Sequence, residues 1–94
     1  MASGTIPTPF QVGYVDDVTT RSVTFSGRTS YNLSTLSGFP SVPSGAKIMS
    51  VSILSWEANN KAFSVIPYST NQVYLIGDDG LNVVNLKVRL WYAF

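Results

Sequence analysis

Residues 84–94, Val84-Asn85-Leu86-Lys87-Val88-Arg89-Leu90-Trp91-Tyr92-Ala93-Phe94, read VNLKVRLWYAF. Val84, Leu86, Val88, Leu90 and Tyr92 recur at every second position, with Asn85, Lys87 and Arg89 between them. Side chains alternate faces along a strand, so this period of two predicts a β-strand with one apolar and one wet face. Tyr92 is in phase with Leu90 and is expected in the core. Trp91 is in phase with Lys87 and Arg89, which puts a large apolar ring on the wet face. Trp91 and Phe94 are therefore the candidate oligomer-interface residues, the strand end being covered by another copy of the chain.

Working back from that strand, the same period recurs. Asp78-Asp79-Gly80 is a tight-turn signal, and QVYLIG before it, residues 72–77, reads as a short strand. Ala62 to Tyr68 places Phe63 and Val65 on one face, and Pro67 ends that strand or marks a sheet edge. Glu57 to Lys61 reads as a hairpin loop, because Asn tolerates positive φ. Lys47 to Trp56, KIMSVSILSW, has Met49, Val51 and Ile53 on one side and Ile48, Ser50, Ser52, Leu54 and Trp56 on the other, the pattern of a central strand. Residues 37–45, SGFPSVPSG, are a connecting loop.

Further upstream, Tyr31 and Leu33 alternate and Leu36 is out of phase, which predicts a strand that kinks or ends. RSVTFSG, residues 21–27, sets Val23 and Phe25 against Ser22, Thr24 and Ser26. FQVGYV, residues 10–15, sets Phe10, Val12 and Tyr14 on one phase, and Asp16-Asp17 marks a turn. Residues 1–9, with Pro7 and Pro9, are expected to form an extended lead-in to one domain over residues 10–94. No stretch shows the 3.6-residue apolar period of a helix. The fold class is all-β: a small antiparallel β-sandwich or jelly-roll-like domain with essentially no helix.

Composition narrows the function. A chain of 94 residues buries only about 60–65% of its unfolded surface, and domains this small often draw on disulfides, metals or oligomerisation for stability. Cysteine and histidine are both absent, which removes disulfides and soft-ligand metal sites and leaves oligomerisation. Charged residues are 12% of the chain with net charge +1, about half the charge of an average soluble domain. Arg21, Arg28, Lys47, Lys61, Lys87 and Arg89 are scattered, which argues against a nucleic-acid partner. No run of about 20 apolar residues is present to insert into a membrane.

The usual nucleophile–base pairs need His or Cys, so the chain is read as non-enzymatic, with no cofactor. Asp16-Asp17 and Asp78-Asp79 are adjacent acids in turn-like contexts, where Asp commonly serves local hydrogen bonding; surface calcium is the alternative. No metal site is assigned. Flat aromatic rings stack on sugar faces, and amides bind hydroxyls. Trp56, Asn59, Asn60 and Tyr68 are accordingly the candidate ligand-binding residues, against the commoner role of such rings in a core or interface.

VPSGAKIMSVSI, residues 42–53, resembles a recurrent tip module of phage tail-fibre and receptor-binding proteins of gut-type bacteria, with RSVTFSG upstream and NLKVRLWY closing it. The resemblance covers about residues 20–92. It implies a small β-sandwich at the end of a fibre or baseplate appendage, commonly a homotrimer, that contacts other virion proteins and a bacterial cell-surface saccharide. It carries no fixed functional residue, and the fibrous shaft that often precedes such tips is not in this sequence. The expected location is the virion. Two alternatives stay open: a monomeric carbohydrate-binding module or lectin domain of a secreted enzyme, and a capsid decoration or head–tail component without receptor contact.

Overall fold

A computed structural model describes residues 12–94; the lead-in assigned to residues 1–9, and Phe10, lie outside them. The chain is all-β, with seven strands: β1 (Val12–Asp16), β2 (Arg21–Thr24), β3 (Ser30–Asn32), β4 (Lys47–Ala58), β5 (Phe63–Ser69), β6 (Gln72–Gly77) and β7 (Asn82–Ala93). One short 3₁₀ turn, Leu33–Thr35, follows β3, where Asn32 caps it by accepting the Ser34 N–H at 3.0 Å. That turn is where the strand through Tyr31 ends.

Two antiparallel sheets share one core. In the first, β7 is the central strand, with β4 along one side and β1 and β2 end to end along the other. The second has the order β3-β6-β5, so Pro67 does sit on an edge strand. Val83, Leu86, Val88 and Leu90 of β7 pack with Val23, Phe25 and Leu81, and with Leu33, Val73 and Leu75 from the other sheet's side. Gly80 turns the chain into β7 at φ 89, with Leu81 N–H donating to the Asp78 carbonyl at 3.0 Å. A glycine suits that third turn position because it has no Cβ to clash at positive φ.

Five expectations change. Lys47–Ala58 is an edge strand, not a central one: its ladder partner is β7, and β5 belongs to the other sheet. The segment after Glu57 therefore crosses between sheets and closes no hairpin. In β7 the apolar phase breaks: Val83 rather than Val84 is fully buried, and Asn85 lies between at φ 54. One extra β7 residue opposes both neighbours there, between Arg21 and Val23 on β2 and between Ser55 and Glu57 on β4. This is a β-bulge, which exchanges the faces of the residues beyond it.

At the other end of β7, Ala93 is buried while Tyr92 is only half-buried. In β1 the expected phase is inverted, Val12 and Tyr14 being exposed and Val15 packing on the core. Gly13 faces Tyr92, and a Cβ there would lie 2.5 Å from the Tyr92 hydroxyl oxygen. The inward phase of β1 thus has no room for a larger residue at position 13.

Candidate binding surface

The outward face of the β3-β6-β5 sheet is built by register. Asn32, Tyr74 and Ile66 form one row across the three strands, and Ser30, Ile76 and Ser64 the next. None of these side chains carries a charge. Ile66 and Tyr68 are 40% and 63% exposed, a poor arrangement for a lone sheet face in water and a good one for a partner.

Tyr68 is placed by local chemistry. Pro67 pairs with Val73 and Ser69 with Gln72, so Tyr68 is the extra residue of a β-bulge beside the proline. Bulges re-aim the side chains they carry. Here the Tyr68 ring leans over Tyr74, with centroids 4.3 Å apart and planes at 34°. Ser69 Oγ donates to Gln72 Oε1 at 3.1 Å, which orders an amide beside the ring pair. Thr70 and Asn71, in the following turn, line an open depression of about 510 Å³ whose other wall is Val42 to Lys47. An exposed tyrosine stacked on a half-buried one, amides and a shallow concavity thus meet at one end of the molecule.

The other candidate ligand residues lie elsewhere. Trp56 is 55% exposed and packs edge-on against Phe63, with centroids 5.2 Å apart. Phe63 turns towards the core and Tyr68 away from it; five strand positions separate them, about 17 Å at the usual rise. Asn59 is committed locally: Nδ2 donates to the Gly80 carbonyl at 3.0 Å, and Oδ1 accepts the Asn82 N–H at 3.1 Å. It ties the sheet-to-sheet crossing to the turn before β7. Asn60 is exposed beside it. The fold therefore keeps Trp56, Asn59 and Asn60 together and separates them from Tyr68, to which it adds Tyr74. Only the register through the bulge, which sequence spacing does not disclose, links the two tyrosines.

The two candidate interface residues have neighbours within the chain. Trp91 Nε1 donates to Ser52 Oγ at 2.8 Å, and its ring lies 5.2 Å from that of Tyr14. Arg89 sits 4.0 Å over the Tyr14 ring and 5.5 Å over Trp91. The end of β7 is thus flanked by β1 and β4 of its own chain. Phe94 is 51% exposed and meets Tyr92 edge-on at 5.9 Å.

Four of the five acids are engaged structurally. Asp16 accepts from Arg89 Nε at 2.7 Å and Nη2 at 3.0 Å. That hydrogen-bonded guanidinium holds the Asp16 carboxyl below the usual carboxylate range, against a smaller opposing effect of desolvation. Asp17 is buried with Arg21, and Asp79 Oδ1 accepts the Gly27 N–H at 2.8 Å. Glu57 Oε2 accepts from Asn85 Nδ2 at 2.6 Å. Among the described residues no three acidic, His or Cys side chains cluster as metal ligands would.

The buried Arg21–Asp17 pair had a signal in the sequence, because Arg21 shares the phase of Val23 and Phe25. No protein family, curated protein or solved structure matches the chain.

Proposed function

We propose that this protein is a non-enzymatic virion adhesion and assembly module that holds a bacterial cell-surface saccharide against Tyr68 and Tyr74 and associates with copies of itself and with other virion proteins. The observation that carries the binding reading is the bulge-presented Tyr68–Tyr74 pair on a charge-free sheet face. A sugar ring offers an apolar C–H face to such a platform and hydroxyls to the flanking Gln72 and Asn71 amides. Engagement of Asp16, Asp17, Glu57 and Asp79 in ion pairs and local hydrogen bonds supports the non-enzymatic part. The virion setting rests on the resemblance of residues 42–53 and their flanks to tail-fibre tips.

A bacterial-glycan array followed by titration of the best saccharide tests the site. Tyr68→Ala should weaken binding about tenfold, the scale of one lost aromatic stack, with an unchanged circular dichroism spectrum. Trp56→Ala should bind as the wild type does. Equal binding by wild type and Tyr68→Ala would remove the site; loss of binding in Trp56→Ala alone would move it to the other end of the molecule.

A further inference from the structure

The outer edge of β4 carries a pattern that complements itself. Among the described residues, the one backbone hydrogen bond that β4 makes other than to β7 is from Ile48 N–H to the Thr70 carbonyl, at 2.8 Å. Trp56 rests on Phe63 at the far end of this twelve-residue strand, and between them Ser50 to Ser55 has no ladder partner on that edge, the feature that templates pairing with another chain. Along it Met49, Leu54 and Trp56 are 54%, 44% and 55% exposed. The register with β7 sorts the side chains: Lys47, Ser50, Ser52, Ser55 and Glu57 face outward with Trp91, Arg89 and Lys87, and Ile48, Val51 and Ile53 face the inner side, towards which Trp56 also turns to meet Phe63. Met49 and Leu54 are extra residues of two bulges.

We infer that β4 pairs antiparallel with β4 of a second copy about a two-fold axis at Ser52. Directly opposed residues of an antiparallel pair share a face, and in this register every pair matches. Ser52 meets Ser52 of the second copy, Val51 meets Ile53, and Ser50 meets Ser55. The Met49 bulge on one strand then offsets the Leu54 bulge on the other. Beyond the two bulges the register places Ile48 opposite Trp56 and Lys47 opposite Glu57. Serines face serines, apolar residues face apolar residues, and the two charges of the strand, opposite in sign, face each other twice. Because Thr70 occupies the Ile48 N–H, the backbone ladder is confined to Ser50 through Ser55, and the outer pairs meet through side chains. The contact is isologous and joins copies in twos, unlike the three-fold assembly that the resemblance implies. It uses neither Tyr68 nor the face that carries it, so it stands or falls apart from the saccharide reading.

The full chain is tested by light scattering after size exclusion at micromolar concentration, and by cross-linking. The expected mass is that of two copies or an even multiple. Lys47→Glu and Glu57→Lys should each weaken association about tenfold by opposing like charges across the ladder, and an equimolar mixture should recover the wild-type mass, because both pairs in the mixed dimer are again opposite in sign. The chain lacks cysteine, so Ser52→Cys creates a single thiol that should form a disulfide-linked dimer under mild oxidation, its opposed Cα atoms lying within disulfide range. Ser64→Cys, on the outward face of the other sheet, should not. A monomeric wild type, a three-copy mass with no disulfide-linked dimer of Ser52→Cys, or a charge-reversal mixture that fails to recover would each overturn the inference.

Discussion

Arg21 reaches Asp17 through two guanidinium nitrogens, Nη2 at 2.8 Å and Nε at 3.2 Å, and both donate to the same carboxylate oxygen. The other Asp17 oxygen accepts the Val88 N–H at 3.2 Å, and Arg21 Nη1 donates to the Ser37 carbonyl. One buried ion pair thus joins the β1–β2 corner, the central strand and the long loop. Removing one partner strands the other charge in the core, which costs about 3–5 kcal/mol. Asp17→Ala is accordingly expected to shift the urea midpoint far down, with Arg21→Met close behind. A loss under about 1 kcal/mol would show that water reaches the pair and screens it.

The neighbouring acid gives a pH dependence. Asp16 is held below the ordinary value of about 3.9 by Arg89 in the folded chain. A depressed folded-state pKa contributes stability that is present above the unfolded value and fades as pH falls through the folded one. Wild-type stability should therefore decline on acidification below about pH 4 more steeply than that of Asp16→Asn. The difference between the two should shrink in high salt, since the pair is partly exposed. Parallel curves for the two proteins would contradict this.

Asn85 holds a left-handed conformation at φ 54 and donates to Glu57. Asn85→Ala should lose about 1–2 kcal/mol, the cost of that region for a residue with a Cβ and no local hydrogen bond. Asn85→Gly should lose less, because glycine adopts the same φ without a clash. Thermal melts of the two variants decide it, and the reverse order would mean that the side-chain bond outweighs the backbone.

Gly13 has no space for a side chain: the added Cβ would lie 2.5 Å from the Tyr92 hydroxyl and 2.6 Å from Cζ. Gly13→Ala should destabilise by about 1–3 kcal/mol, as overpacking usually does. Tyr92→Phe in that background should restore little, because the ring carbon remains. Full recovery with Phe would locate the clash in the hydroxyl alone.

How far these features were legible follows from which ones a two-residue period can express. In β2 it places Val23 and Phe25 inside and Ser22, Thr24 and Ser26 outside, as the structure does. It holds in β7 from Leu86 to Leu90 and fails at Val84, because the extra residue beside Asn85 shifts the count. It misplaces β4 for a different reason: Ile48, Val51, Ile53 and Leu54 give the strand apolar residues on both sides, as in a central strand. Which strand takes the centre is decided by pairing partners, which no single segment contains. Tyr74 was unreadable as the neighbour of Tyr68 because the bulge at Tyr68 sets that contact. The candidate site is therefore a product of register, while the sandwich itself is a product of period.

The central position of β7 has a consequence for biogenesis. It is the last strand in chain order, yet β1, β2 and β4 all find their ladder partner in it. At a synthesis rate of about 5–20 residues per second, the earlier strands wait for seconds without a mate. Their sheet closes in one late event of distant contacts, a slow class of folding step. Until then the apolar edge of β4 is available to any other nascent chain, so polysome crowding and chaperone supply should govern how much soluble protein a cell recovers.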